Sequence, residues 1–387
     1  MTICILGRQP ALGLAELESL FGFNALHPLN NQIVLVNEPL ERIKHAHLGG
    51  TIKIAKPVTI LPTQQWSHIL DYCLTYLPEH LSHLPPGKLT LGLSVYGLPV
   101  SLTQLQRSSL TLKKKLKATG RPIRIVPNTE RTLNSAQVLH NKLDRELGIE
   151  LLCIAGKNQT YIAQTTSIQD VESYSRRDFS RPRRDAFVGM LPPKLAQIML
   201  NLAKPLPQAT ILDPFCGTGV VLMEAALQGY RLEGSDIEPK MVTYTRENLQ
   251  WLEETYHLTP VVKELTVADA TTHQWRKADS VVCETYLGQP LSGIPKPEKL
   301  QTIRQNCDTI IRKFLTNLHH QLKPGARCTI AVPAWNVNNR FLHLPLLDDL
   351  KKMGYNRVSF SCTPSEELLY YRPEQIVARE LLVLTRK

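Results

Sequence analysis

Apolar residues in the second half of this chain come in short runs that alternate with stretches of helical spacing. Ala209–Leu212 (ATIL) reads as a strand, and Val220–Leu227 (VVLMEAAL) as a helix closed by Gly229. Arg231–Ser235 is the next strand, and Pro239 suits the first position of the following helix, where a missing N–H costs nothing. Val261–Val267 and Ser280–Cys283 are two further strands. Farther on, Ile303, Cys307, Ile310, Ile311, Phe314, Leu315, Leu318 and Leu322 recur at the spacing of an amphipathic helix, Gln301–Leu322. Lys323-Pro324-Gly325 then turns the chain into the strand Arg327–Trp335. The pattern is that of a doubly wound α/β sheet. A helix around Leu344–Met353 precedes the strand Arg357–Ser361. A second strand, Val377–Leu384, follows with no helix-length pattern between.

Two consecutive strands without a crossover helix pair antiparallel. A parallel sheet ending in such a pair is the shape of the S-adenosylmethionine (SAM) methyltransferase fold rather than the nicotinamide-binding one. The amino-terminal half reads less regularly. Residues 1–60 suggest a strand, a helix (Ala11–Phe21) and short strands, a small α+β unit. Beyond it come helices at Gln64–Tyr76, Leu102–Ala118 and Ser135–Leu147 and strands at Leu89–Val95 and Pro122–Val126. Two closing strands lie near Glu150–Ala155 and Thr160–Thr165. Between Asp170 and Pro193 arginine, aspartate, serine and proline replace the periodic pattern, which marks a linker.

A length of 387 residues points to two or three domains. No apolar run approaches the roughly 18 residues of a membrane-spanning helix, and the amino terminus lacks the features of a signal peptide. A cytoplasmic protein with no membrane partner is expected. The eight cysteines show no CxxC pair, and most lie inside apolar runs, so neither a disulfide framework nor a zinc site is expected. His45 and His47 read as surface residues rather than metal ligands. Net charge is +11, and the excess is uneven. Thr111–Arg131 carries seven basic residues against one acid, and Ser175–Ala186 five arginines against two aspartates. A solvated surface explains one such run. Two flanking one compact segment point to nucleic acid.

The chemistry concentrates at Asp213–Gly219, DPFCGTG, between strand and helix. A nicotinamide fingerprint needs GxGxxG, and the third glycine is missing here. Asp213 and Phe215 instead fit the DxFxGxG of amino-group methyltransferases. Gly217 and Gly219 would let backbone approach the methionine part of SAM, and Asp213 can accept from the ligand's ammonium. Asp236, just after the second strand, suits the two ribose hydroxyls of a bound adenosine. Ile237 beside it could pack on the adenine. Asp269-Ala270, ending the third strand, is placed to meet the adenine amino group, with a helix N-cap as the competing reading of Asp269.

From about residue 160 onward the chain resembles the THUMP-domain tRNA guanine-N2 methyltransferases of archaea and eukaryotes. The resemblance is carried by RRDFSRPRRDAFVGMLPPKLAQIMLNLA (Arg176–Ala203), DPFCGTG, GSDIEPKM and YYRPEQIVARELLVL (Tyr370–Leu384). Arg124–Leu143 resembles the second half of a THUMP domain, an RNA-binding module. The resemblance implies a ferredoxin-like domain at 1–60, a THUMP domain at 61–170, a linker at 171–193 and a Rossmann-like class I SAM methyltransferase domain at 194–387. That last domain would hold a seven-stranded sheet with an antiparallel last strand. It also implies that Gly189–Leu195 (GMLPPKL) touches the cofactor.

The family carries D/N-P-P-Y/F after the fourth strand. An acid or amide oxygen and a proline-held carbonyl accept the two N–H bonds of the target amine. That frees its lone pair to attack, while the aromatic ring stacks on the base. Here the stretch is VVCETYLGQP (Val281–Pro290). Glu284 supplies a carboxylate one methylene longer than Asp, Thr285 replaces the first proline, and Tyr286 comes one position early, with Leu287 where the aromatic would stand. Glu284 and Tyr286 are the expected catalytic residues. The expected function is SAM-dependent methylation of the exocyclic N2 of a tRNA guanosine. A DNA amino-methyltransferase acting on adenine N6 or cytosine N4, and a catalytically impaired RNA-binding protein, are the alternatives. A small activator subunit is not readable from the sequence.

Overall fold

The computed structural model describes residues 1–185, 190–259, 263–276, 278–291, 293–338 and 340–387. Gly189 of the GMLPPKL block and Val261, at the start of an expected strand, lie outside the described residues. The chain divides into two compact units, one of residues 1–10, 24–46 and 51–171, the other of residues 11–23, 47–50 and 172–387.

The first unit is built on strands β1 (Thr2–Leu6), β2 (Leu26–Asn30), β3 (Ile33–Val36), β4 (Thr51–Leu61), β5 (Leu89–Tyr96), β6 (Ile123–Ile125), β7 (Gly148–Ala155) and β8 (Thr160–Ile168). They form one sheet in the order β2-β3-β1-β4-β8-β7-β5-β6. β4 pairs with both β1 and β8, so strands on either side of residue 60 share this sheet. After β1 the chain enters α1 (Pro10–Phe21), most of which belongs to the second unit. Helices α2 (Trp66–Ser82) and α3 (Leu102–Lys117) bury Ile69, Cys73, Leu105 and Leu112 against Leu91, Leu93 and Leu151 of the sheet. α3 starts where the Ser101 hydroxyl accepts from the Gln104 N–H, and α4 (Ser135–His140) starts in a reciprocal Asn134–Gln137 box. α4 ends at His140, short of the expected Leu147.

Two polar groups lie deep in this unit. The Lys53 ammonium donates to Glu150 at 2.5 Å and to the Leu133 carbonyl at 2.6 Å, with both side chains buried. His45 is also buried, its ring bonded to Ser167 at 2.7 Å and to the Thr51 carbonyl at 3.0 Å. Burial pushes that imidazole down to about 4, against the Thr51 bond. His45 is therefore a core residue, not the surface residue expected: its two ring bonds satisfy the polar atoms that an apolar-pattern reading assigns to water.

The second unit holds β9 (Thr210–Asp213), β10 (Arg231–Asp236), β11 (Lys263–Val267), β12 (Ser280–Glu284), β13 (Arg327–Val337), β14 (Arg340–Leu342), β15 (Tyr355–Arg357), β16 (Leu369–Tyr370) and β17 (Val377–Arg386). Seven of these run β11-β10-β9-β12-β13-β17-β15, with β14 paired to β13 and β16 paired to β17. β9 to β13 pair in parallel, whereas β17 is antiparallel to both neighbours. This is the class I SAM methyltransferase α/β arrangement. The expected helix at Leu344–Met353 is only a short 3-10 turn, Pro345–Asp349.

The segment expected as a linker, residues 171–193, begins with α5 (Val171–Ser175) and one π-helical turn, Arg176–Ser180. The Arg177 Nε donates to Glu224 at 2.6 Å with both groups buried. The remaining helices are α6 (Pro193–Ala203), α7 (Val220–Leu227), α8 (Pro239–Tyr256) and α9 (Pro297–His319). α6 is buried along almost its whole length. Leu12 and Ala15 of α1 share a core with Leu195, Met199 and Leu222. Glu16 of the same helix accepts from the backbone N–H groups of Gly49 and Gly50, both at 2.9 Å, and from the Asn201 amide at 2.7 Å.

Candidate active site

β9 delivers Asp213 to the carboxyl edge of the sheet, and α7 departs from Val220, so Pro214–Gly219 must reverse the chain in six residues. Gly217 (φ +51°) and Gly219 (φ +84°) supply the left-handed backbone this needs. A Cβ on Gly219 would come to 3.0 Å of the Thr245 side chain on α8, so this glycine serves the turn and its packing and stays off the cavity wall. A Cβ on Gly217 would meet nothing nearer than the Phe215 carbonyl at 3.9 Å. It would project into open volume. The Gly217 N–H donates to Asp236 Oδ2 at 2.9 Å, and the Glu238 N–H to Oδ1 at 3.0 Å. The parallel register of β9 and β10 thus sets Asp236 beside the turn.

That volume is a cavity of about 920 Å³ at the carboxyl ends of β9, β10 and β12. Asp213, Phe215, Gly217, Asp236, Ile237, Asp269, Ala270, Glu284 and Tyr286 all line it. Asp213 is buried, and its Oδ1 accepts from the Phe215 N–H at 3.1 Å. Burial pushes its carboxyl well up, the Phe215 bond opposes this, and the charges of Asp236 and Glu284 add to it. Phe215 packs edge-on to Phe314 at 5.0 Å. Ile237 stays 63% exposed on the opposite lip, free to cover a planar ligand. Asp269 accepts from both the N–H and the hydroxyl of Thr271 at 2.8 Å, which closes a turn rather than capping a helix, and it lies on the cavity wall. These two bonds, and then Lys313, hold its carboxyl below the ordinary range.

Asn306, Thr309, Ile310 and Lys313 of α9 also line the cavity. They share one helical face by their spacing of three and four. Sequence reasoning assigned Ile310 to the apolar stripe and gave the three polar residues no role, because nothing local marks a helix face as facing a cavity.

Glu284 is the last residue of β12. Its Oε1 accepts from the Arg379 Nε of β17. Burial pushes the Glu284 carboxyl up, while the Arg379 charge and bond pull it down. Thr285, where the motif has proline, is buried, and both its N–H (2.9 Å) and its hydroxyl (3.0 Å) donate to the Ala331 carbonyl. Two hydrogen bonds thus fix the backbone at the point where a ring would restrict it. Tyr286 is 41% exposed and presents its ring at the rim.

Five carboxylates, Asp213, Asp236, Glu238, Asp269 and Glu284, line one cavity, and burial pushes Asp213, Asp236 and Glu284 up. Such a site calls for a cationic ligand. SAM, with its sulfonium and ammonium, meets that demand, and the open space over Gly217 admits its chain.

Residues 181–366 match the family described as RMKL-like methyltransferase domain. The chain is similar to the tRNA (guanine(10)-N2)-dimethyltransferase of Methanothermobacter thermautotrophicus, 36% identical over 157 residues, 40% of this chain and 42% of that relative. It is also similar to the protein of the same name from Pyrococcus abyssi, 31% identical over 168 residues, 43% and 44% of the two chains. The chain spans less than half the length of these curated relatives. Two solved structures share its fold end to end. TrmN from Thermus thermophilus gives a TM-score of 0.53 at 16% identity, covering 100% of this chain and 99% of that one. A possible methylase from Clostridium difficile 630 gives 0.52 at 11% identity, covering 100% and 98%. The strand order and the glycine turn agree with the match of residues 181–366 to the RMKL-like methyltransferase domain, and tRNA (guanine(10)-N2)-dimethyltransferases are among the curated proteins to which the chain is similar.

Proposed function

We propose that the protein is a SAM-dependent tRNA methyltransferase acting on the exocyclic N2 of a guanosine. The observation that carries this reading is one cavity with a glycine turn and Asp236 at one end and Glu284-Thr285-Tyr286 at the other. Bound SAM supplies an electrophilic methyl group. Asp213 and Asp236 would hold its ammonium and ribose, and Ile237 with Asp269 and Ala270 its adenine.

The guanine amine is a poor nucleophile because its lone pair is delocalised into the ring. Glu284 accepts one of its N–H bonds and turns that lone pair toward the methyl carbon. Bound SAM would supply the methyl group and keep the departing electron pair on its sulfur, and Glu284 would take up the proton that the nitrogen releases. Tyr286 stacks on the base, which must be flipped out of its helix to arrive there.

Residues 1–60 and 61–170 fill the ferredoxin-like and THUMP roles and grip tRNA phosphates, which position the substrate without reading its sequence. Support comes from the exposed Lys114, Lys115 and Lys117 at the end of α3. Among the described residues no helix is long and apolar enough to cross a membrane, in keeping with a cytoplasmic tRNA-modifying enzyme. The test is incubation with labelled SAM and total tRNA followed by nucleoside mass spectrometry, position 10 first because the relatives' name gives it. N2-methylguanosine in the wild type and none with Glu284→Ala supports the reading. Label in duplex DNA instead, or RNA binding without SAM binding, overturns it.

A further inference from the structure

We propose that Arg379 is a positioning residue for methyl transfer, holding one oxygen of Glu284 so that the other faces the substrate amine. The inference rests on the function proposed above. Glu284 pairs in register with Ala331, and Ala331 with Leu381, so the three form one row across β12, β13 and β17. Arg379 lies two residues from Leu381 and hence on the same face of the sheet. Its side chain passes over Ala331 and Pro333, small enough to let a guanidinium reach Glu284 Oε1.

The Arg379 side chain is 8% exposed and that of Glu284 15%, so neither is held by water alone. Arg379 Nη2 also donates to the Met190 carbonyl at 3.4 Å, which fixes the fork from its other side. A glutamate has one more torsion than the aspartate of the family motif, and a free one would sample several rotamers. The guanidinium removes that freedom. Among the described residues no hydrogen bond is made to Glu284 Oε2, and Glu284 lines the cavity.

The charged and titratable groups facing Glu284 define what Arg379 offsets. Asp213 on β9 interacts with Glu284 through charge, and Asp236 on β10, Glu238, Asp269 and Lys313 on α9 line the same cavity. The Cys283 and Cys307 thiols and the Tyr286 phenol are pushed up and stay neutral. Arg379 is thus the cation in direct contact that pulls the Glu284 carboxyl down against the burial that pushes it up, favouring the form that accepts an N–H and then a proton.

The test compares wild type, Arg379→Met, Arg379→Lys and Glu284→Gln by the pH dependence of kcat for tRNA methylation, by SAM affinity, and by NMR titration of glutamate carboxyls. Removing the cation lets burial and Asp213 push Glu284 further up, so in Arg379→Met the acid limb should move to higher pH by about one unit or more. At neutral pH kcat should fall about tenfold to a hundredfold as the carboxylate loses its alignment. SAM affinity should stay within about twofold, and Arg379→Lys should keep part of the rate because one charge–charge contact survives. Glu284→Gln, with no proton to lose, should show no acid limb. A uniform loss of kcat with the acid limb unmoved, or an unchanged Glu284 titration in Arg379→Met, overturns the proposal. Failure of the wild type to methylate tRNA sinks the function reading instead, and the NMR titration still decides the role of Arg379.

Discussion

Replacing Glu16 by glutamine should remove a loss of stability that the methyltransferase unit suffers as pH rises. Glu16 is fully buried, and burial pushes its carboxyl from 4.5 up to about 7 against the pull of Asn201, Gly50 and Gly49. Between those two pH values the folded protein keeps a proton that the unfolded chain has released, so stability falls as pH rises through the window. Below it the penalty is absent, and above it the penalty is complete. A displacement of that size, at about 1.4 kcal/mol per pH unit, costs about 3 kcal/mol by pH 8.

Glutamine carries no charge to bury. Its carbonyl can still accept from Gly49 and Asn201, but its NH₂ would face the Gly50 N–H and lose that bond, at about 1–3 kcal/mol. The variant should therefore be less stable than wild type at pH 5 and as stable or more so at pH 8. Denaturant unfolding of the full chain at pH 5, 6, 7 and 8, followed by tryptophan fluorescence, measures the difference. Three of the four tryptophans, Trp251, Trp275 and Trp335, lie in this unit. A stability difference constant across the series would refute the reasoning, because every other titration cancels between the two proteins.

Lys53→Met should destabilise the first unit by about 3–5 kcal/mol, since Glu150 is left buried without its partner, and the double change with Glu150→Gln should recover much of it in urea unfolding. Asp236→Asn should weaken SAM binding in calorimetry by about 1.5–3 kcal/mol, the worth of hydrogen bonds to a charged acceptor. Affinity for tRNA should fall by a factor of about 10³ or more between about 50 and 200 mM salt if six or more phosphates are neutralised. A flat salt response would remove the basic surface from the RNA site.

The methyltransferase half was legible because its signals are local. A strand, a two-glycine turn and a helix follow one another within 18 residues, Thr210–Leu227, and the turn needs the positive φ that glycine supplies. The antiparallel β17 followed from the missing crossover helix. What stayed hidden depends on partners distant in sequence. Arg379 finds Glu284 95 residues away, and nothing in the tail distinguishes it from Arg372 or Arg386 before the strands are in register. Lys313 and Asn306 look like the wet face of a helix until a cavity opens beside them. The partners that bury His45 and Glu16, Ser167 and the Thr51 carbonyl for one and Gly49, Gly50 and Asn201 for the other, are brought together only by the fold. Thr285 read as a lost proline, and only the Ala331 carbonyl shows how the loop keeps its shape.

The methyltransferase unit is not a continuous piece of chain: its core takes in residues 11–23 and 47–50 as well as everything from 172 onward. During synthesis the first of these leaves the ribosome early, with the buried faces of Leu12 and Ala15 exposed. It must wait until Leu195, Asn201 and Leu222 have been made. A fragment begun at residue 172 would likewise lack the helix that covers α6, and should be sticky and poorly folded rather than an autonomous enzyme. The early segment and the late domain are therefore bound to be inherited, expressed and engineered as one.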